Sequence, residues 1–135
     1  MRTAQAAIAS SLYRRLPMDW WHSAARSGTL HRLPVSRFKP RENDASGLSV
    51  SQAGLSTIEI ASTTAKGKRD CVAEFPTVAA TSRGLTVVSA PTERDPGHAV
   101  IPEMSFAALQ DPANEVVVEE HAHALAQASK IVWPG

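Results

Sequence analysis

The sequence predicts an α+β fold: a small, mainly antiparallel sheet with N-terminal helices and a C-terminal helix packed on one face. Three observations lead to this prediction. Apolar residues recur at helical spacing near both ends of the chain, short runs rich in β-branched residues lie between them, and turn-forming residues separate the runs. A sheet with helices on one side buries two amphipathic layers in elements of this order.

Two helices are predicted near the N-terminus. The first covers residues 4–16, because apolar residues recur at every fourth position and Pro17 follows them. The segment 1–17 is either part of the folded domain or a loosely attached helix. The second helix runs from Asp19, a favourable N-cap, to Gly28, a favourable C-terminal stop.

Strand-forming runs occupy the middle of the chain. The predicted strands lie near Leu30 and at residues 48–50, 56–60, 85–88 and 98–101. The last two should form an antiparallel hairpin. Helices are predicted at 68–83, either kinked at Pro76 or restarted there, at 105–110, and at 112–131 as the closing helix.

Length and composition indicate a single domain over residues 1–135. Hydrophobic residues make up 43% and charged residues 20% of the chain, close to globular averages. No segment approaches the about 20 apolar residues that a membrane-spanning helix needs. The one cysteine, Cys71, cannot form an intramolecular disulfide and lies in an apolar run, so we expect it in the core of a cytoplasmic protein.

Charge is distributed unevenly along the chain. Residues 1–41 carry eight bases against one acid, whereas residues 42–135 carry six bases against twelve acids. Such asymmetry is typical of a protein with an anionic partner. Three explanations remain open at this point: the basic arm packs on the acidic part of its own chain, it binds an acidic protein, or it follows the phosphates of a nucleic acid.

The leading functional hypothesis is a non-enzymatic binding or accessory module. Its basic arm, residues 26–41, would dock on an acidic protein or a nucleic acid, without a cofactor and without a membrane. The residues expected to bind the partner are Arg32, Arg37, Lys39 and Arg41.

The alternative is a small enzyme, transferase- or nuclease-like, that acts on an anionic substrate. His31 or His98 would transfer a proton, while Arg37 and Arg41 hold the anion through bidentate hydrogen bonds. This hypothesis requires the four side chains to converge on one pocket. The competing interpretation is a surface loop with solvated arginines.

A metal site on the closing helix is a further candidate. Glu119 and His123 are four residues apart on the closing helix and could supply two ligands to one divalent ion. The remaining ligand would have to come from another element, such as His98 or Glu103. A solvated acidic helix face explains the same pattern, so the sequence predicts no metal and no cofactor.

Three short motifs carry a family resemblance. The runs SRFKPR at 36–41, LSV at 48–50 and HAVI at 98–101 resemble a group of short uncharacterised bacterial proteins with S-x-F-x-x-R, L-S-V and His-Ala-x-Ile segments. The similarity would cover residues 12 to about 132. It implies a bacterial source, and it implies no activity, cofactor or site residue.

Overall fold

A six-stranded antiparallel sheet forms the centre of the protein in the computed structural model, which describes residues 8–134. Its strands in chain order are β1 (Ser11–Leu16), β2 (Leu48–Gln52), β3 (Cys71–Pro76), β4 (Val88–Ser89), β5 (His98–Ile101) and β6 (Lys130–Trp133). Across the sheet they are ordered β4-β5-β2-β1-β3-β6. The predicted α+β class is therefore confirmed.

Helices surround this sheet. The α-helices within residues 8–134 are α1 (Met18–Ser27), α2 (Ile58–Ser62), α3 (Val78–Thr81), α4 (Phe106–Gln110) and α5 (Glu115–Ala128), and short 3-10 helices lie at Val35–Phe38 and Pro102–Met104. Helix α1 ends at Gly28, which adopts the predicted left-handed conformation with φ of 69°. Within residues 8–134, none of the helices is both long enough and apolar enough to cross a membrane.

The predicted helix over residues 4–16 is wrong for the part that the structure describes. Residues Ser11–Leu16 form β1, which lies inside the sheet and pairs with both β2 and β3. Leu12 and Leu16 are fully buried, so this segment is not loosely attached. Residues four apart lie on one face of a strand as well as on one face of a helix, because side chains in a strand alternate between its two faces. Arg14, between Leu12 and Leu16, is on the same face of β1. Residues 1–7 lie outside the described part.

The predicted helix over 68–83 is wrong for its first part, whereas the alternative of a helix restarted after Pro76 is confirmed by a short helix. Residues Cys71–Pro76 form β3, and Pro76 ends this strand before the short helix α3 begins at Val78. An apolar run of five or six residues fits a buried strand and a buried helix equally well. Here the strand pairs along its whole length with β1, from Cys71 opposite Leu16 to Pro76 opposite Ser11.

Two predicted strands are replaced by helical turns. Residues Ile58–Ser62 form α2, where the Thr57 hydroxyl caps the first turn by accepting from the Ile60 N–H at 3.1 Å. The strand expected near Leu30 is absent from the described residues. The following segment instead forms the 3-10 helix Val35–Phe38, which buries Phe38 in the core.

The predicted hairpin is confirmed with a shorter first strand. Only Val88–Ser89 pairs with β5, and it does so antiparallel, in place of the expected 85–88. The closing helix is confirmed at Glu115–Ala128, inside the predicted 112–131. The chain then turns into β6, which pairs antiparallel with β3 at the sheet edge.

The two faces of the sheet are covered differently. The main core lies on one face, where Leu12, Phe75 and Ile101 of the sheet pack with Phe38 and with Leu125 of α5. On the other face, the short helix α2 contacts β1, β3 and β6. Among residues 8–134, the α-helix in contact with β1 on this second face is α2, and a depression lies beside it over β1, β2 and β5.

Candidate functional site

Arg14 lies on the apolar face of β1, a strand in the interior of the sheet. Arg14 alternates with the buried Leu12 and Leu16 on β1. Its guanidinium donates from Nε to the Arg37 carbonyl oxygen at 2.9 Å and from Nη1 to the Ser49 carbonyl oxygen at 2.7 Å. A cation at this depth must be held by hydrogen bonds, since an unpaired buried charge is strongly unfavourable.

Burial changes the acidity of this group. It lowers the pKa of the Arg14 guanidinium to about 10; the Asp44 carboxylate opposes this shift, and three neighbouring arginines add to it. Arg14 therefore stays charged at neutral pH in a region of like charge. Such a region attracts anions.

Four arginines share one cavity. Arg14 and Arg15 of β1, Arg37 of the 3-10 helix and Arg41 of the following loop line a space of about 200 Å³, which we call the arginine cavity. They come from segments that are far apart in the sequence and are brought together by the pairing of β1 inside the sheet. Arg37 and Arg41 are thus the two predicted binding residues that the structure does bring together.

The acids beside this cavity are already engaged. Asp44 is buried, and its carboxylate accepts the Arg41 backbone N–H at 2.8 Å and the Ser49 hydroxyl at 3.1 Å. Asp70 approaches the Arg15 Nε at 3.8 Å. Asp44 therefore holds the loop in place with both carboxylate oxygens.

The other two predicted binding residues lie elsewhere. Lys39 is paired with Glu119 of α5 at 3.1 Å, and it does not line the arginine cavity. Arg32 is exposed in the loop after α1 and does not line the cavity either. The basic arm is accordingly split between a cavity, an ion pair and open surface.

A larger depression covers the second face of the sheet. Its volume is about 870 Å³, and we call it the open-face cleft. Side chains that line it include Tyr13, Arg15, Ser51, Arg94, Asp95 and His98. It meets the arginine cavity at Arg14, Arg15 and Ser49, which line both spaces.

Three polar side chains form a row across the floor of this cleft. Tyr13 of β1 is directly opposite Ser51 of β2, and Ser51 is directly opposite His98 of β5. Cross-strand neighbours of this kind lie on the same face and within reach of one another. Burial, aided by the Glu74 carboxylate, raises the pKa of the Tyr13 phenol, which therefore remains protonated at neutral pH.

His98 has a defined hydrogen-bonding direction. Its Nδ1 lies 2.8 Å from the Ala90 carbonyl oxygen, which can only accept, so Nδ1 carries the proton. Among residues 8–134, no side chain or backbone group hydrogen-bonds the other ring nitrogen. Nε2 is therefore the nitrogen through which His98 can contact a ligand in the cleft.

Asp95 fixes the loop that forms one wall of the cleft. It accepts the Ser51 hydroxyl at 2.6 Å and the Gly97 N–H at 2.9 Å. Arg94 in the same loop donates from Nη2 to the Thr63 carbonyl oxygen at 3.3 Å. Asp95 thus positions Arg94 and His98 on either side of itself.

The side chains of the predicted enzyme site do not share one cavity. His98 lines the open-face cleft, whereas Arg37 and Arg41 line the arginine cavity. His31 is exposed in the loop after α1 and lines neither space. Arg14 and Arg15, which the sequence analysis does not select, line both the cleft and the cavity and lie between His98 and the pair Arg37 and Arg41.

The predicted metal ligands are used differently. Glu119 pairs with Lys39, and His123 is exposed on the same helix. No group of three or more His, Cys, Asp or Glu side chains that could hold a metal ion occurs in residues 8–134. The nearby His121 accepts from Arg83 Nε through its Nδ1 at 3.1 Å.

No protein-family model, curated protein or solved structure matches the chain. The resemblance of residues 36–41, 48–50 and 98–101 to short bacterial proteins therefore stays a prediction. These segments do surround the two cavities: the first carries Arg37 and Arg41, the second is in β2, and the third forms β5.

Proposed function

We propose that the protein is a non-enzymatic binding module that docks an acidic segment of a partner protein in the arginine cavity. The observation that carries the proposal is the gathering of four arginines around a cavity whose lining, in the described part of the chain, contains only two carboxylates, Asp44 and Asp70, so its positive charge is only partly balanced by the chain itself. Two ion pairs exist among residues 8–134, joining Arg15 to Asp70 and Lys39 to Glu119. Neither involves Arg37 or Arg41.

A carboxylate suits these groups chemically. The planar guanidinium presents a fork of donors that matches the two oxygens of a carboxylate, and charge-assisted bonds of this type are about twice as strong as neutral ones. Arg14 is already fixed by two backbone carbonyl oxygens. It contributes fixed positive charge at the bottom of the cavity, while Arg37 and Arg41 have donors left for the partner.

The geometry favours an acidic side chain over a nucleic acid. The cavity holds about 200 Å³, enough for one oxyanion group and not for a continuous phosphate backbone. Residues 42–135 carry twelve acids against six bases, which disfavours a long nucleic-acid track beyond the cavity.

The proposal can be tested with a fluorescent oligoglutamate peptide and a single-stranded oligonucleotide of equal charge. Fluorescence anisotropy at several salt concentrations would give their dissociation constants. We expect the peptide to bind more tightly than the oligonucleotide. Binding should weaken as salt rises, because exposed charges are screened.

Two double variants separate the cavity from overall charge. Arg37→Ala/Arg41→Ala should weaken peptide binding at least about tenfold, since each lost charged hydrogen bond is worth about 1.5–3 kcal/mol. Arg26→Ala/Arg32→Ala removes the same charge from exposed positions and should change binding less than about threefold. Equal losses in both variants, or tighter binding of the oligonucleotide, would contradict the proposal.

A further inference from the structure

The open-face cleft contains a second pair of arginines, Arg15 and Arg94, which we call the Arg15–Arg94 pair. It lies apart from Arg37 and Arg41. Arg15 of β1 and Arg94 of the loop before β5 both donate to the carbonyl oxygen of Thr63, at 3.0 and 3.3 Å. Two guanidinium groups from distant parts of the chain therefore converge on one neutral acceptor. A single carbonyl oxygen cannot satisfy two groups that each carry five N–H donors.

The carboxylates of the cleft do not neutralise the Arg15–Arg94 pair. Glu59 and Glu93 line the same space, but neither forms an ion pair with Arg15 or Arg94 in the described part of the chain. Asp70, which does not line the cleft, lies 3.8 Å from the Arg15 Nε and therefore offsets part of the charge of Arg15 alone. Asp95 is occupied by the Ser51 hydroxyl and the Gly97 N–H. Donors of both guanidinium groups thus remain for a ligand that enters the cleft.

The rest of the cleft has the size of a small-molecule site and offers polar groups that could orient a ligand. Its volume of about 870 Å³ lies within the about 300–1,000 Å³ that is usual for such sites. The row of Tyr13, Ser51 and His98 offers hydrogen-bonding groups along the floor. His98 Nε2 is set as the contacting nitrogen by the hydrogen bond of Nδ1 to Ala90.

We propose that the open-face cleft binds a small organic phosphate, with the phosphate group between Arg15 and Arg94 and the organic part along Tyr13, Ser51 and His98. A phosphate dianion matches two guanidinium groups in charge and in hydrogen-bond geometry. The organic part lies over the sheet, where His98 contacts it. This site shares Arg15 with the arginine cavity but uses Arg94 in place of Arg37 and Arg41, so substitutions of Arg94 test it separately from the acidic-segment site.

The test uses the full chain labelled with ¹⁵N and two probes, inorganic phosphate and phenyl phosphate. Each is titrated at constant ionic strength, with sodium chloride as the reference, while amide chemical shifts are followed. We expect saturable shifts at Thr63, Arg94 and His98 with both probes. Phenyl phosphate should bind more tightly, because its ring contacts the floor of the cleft.

Three variants assign the parts of the site. Arg94→Gln should weaken both probes at least tenfold, whereas Arg83→Gln, which changes an exposed arginine bonded to His121, should leave both unchanged. His98→Ala should weaken phenyl phosphate alone. Arg37→Ala/Arg41→Ala should keep phosphate binding even if it abolishes peptide binding.

Several outcomes would overturn the inference. One is that phosphate produces no more shift than chloride at Thr63 and Arg94. Another is that Arg94→Gln and Arg83→Gln weaken binding equally, which would indicate general charge. A carboxylate probe, benzoate, that binds as tightly as phenyl phosphate would reject the choice of phosphate.

Discussion

The Arg14 guanidinium donates to the Ser49 carbonyl oxygen at 2.7 Å, at the place where β1 and β2 part. These strands pair only from Leu12 opposite Gln52 to Tyr13 opposite Ser51. Beyond that point, the Arg14 side chain donates to the Ser49 carbonyl oxygen, which would otherwise accept a backbone N–H from a continued β1. The same guanidinium reaches Arg37, so one residue joins the sheet to the 3-10 helix and completes the cavity.

Arg14→Met should destabilise the fold by about 2–4 kcal/mol, because it leaves two carbonyl oxygens without their charged donor. Urea-induced unfolding followed by circular dichroism would measure the free energy of unfolding. Arg15→Met is the matched control on the same strand; its side chain is 43% exposed, and we expect less than about 1 kcal/mol. A variant as stable as the parent would show that packing outweighs these hydrogen bonds.

Gly97→Ala should destabilise the protein by about 1–3 kcal/mol through steric overlap. A Cβ at this position would lie 2.7 Å from the Ser56 backbone N and 2.9 Å from the Gln52 carbonyl oxygen. Neither backbone atom can move easily, since Gln52 N–H also donates to the Gly97 carbonyl oxygen at 2.8 Å. Thermal unfolding would measure the loss.

Gly67→Ala provides the comparison for that experiment. Gly67 has φ of +79° and open space around it, so its substitution costs only the strained backbone, about 1 kcal/mol. A smaller loss for Gly97→Ala than for Gly67→Ala would mean that the β4–β5 loop moves away from the sheet.

Cys71 should resist thiol reagents in the folded protein. Burial, with a contribution from the Asp70 carboxylate, raises the pKa of the Cys71 thiol to about 12. At pH 8 the reactive thiolate is then about one part in ten thousand, and the side chain is fully buried as well. Labelling with a coloured aromatic disulfide should be complete in denaturant and negligible without it. Rapid labelling of the native chain would place Cys71 at an accessible site.

Glu103 should contribute to the acid sensitivity of the fold. Burial raises the pKa of its carboxyl group, but hydrogen bonds from the Thr86 hydroxyl and N–H, and from its own backbone, outweigh this and lower it overall. The stabilisation is present above the unfolded glutamate pKa of about 4.3 and is lost as pH falls through the lower folded value.

Glu103→Gln should therefore reduce the loss of stability between neutral and acid pH. Thr86→Val, which removes the hydroxyl that donates to Glu103, should have the same effect. Glu42→Gln, in an exposed loop, is the control and should leave this loss as it is. The measurement is the free energy of unfolding between pH 3 and about 7. An unchanged loss in both Glu103→Gln and Thr86→Val would show that other carboxylates dominate.

Local signals predicted part of the fold. Helix α1 with its Gly28 stop, the β4–β5 hairpin and the apolar face of α5 through Val118, Ala122 and Leu125 depend on neighbours a few residues apart, and all are present. The sequence does not predict β1, because Arg14 interrupts the apolar face that Leu12 and Leu16 would otherwise mark. It does not predict β3, because the mostly apolar segment Cys71–Pro76 is equally compatible with a buried helix.

The site could be predicted only in part for the same reason. Arg37 and Arg41 were expected from the charge map, whereas Arg14 and Arg94 acquire their roles through contacts with residues far along the chain. The sequence predicts Lys39 in the partner-binding site and Glu119 in a metal site, whereas in the structure the two side chains form an ion pair with each other. No spacing rule relates residues 80 positions apart.

The central place of β1 has a consequence for synthesis. Of the six strands this one is synthesised before the others, and the strands on its two sides, β2 and β3, follow only after many more residues have been made. Until then its apolar side chains have no partner and its hydrogen-bonding edges are open to other chains. Both edges of β1 are paired only after residue 76 has been made, so the time to synthesise residues 17–76 sets how long they stay exposed.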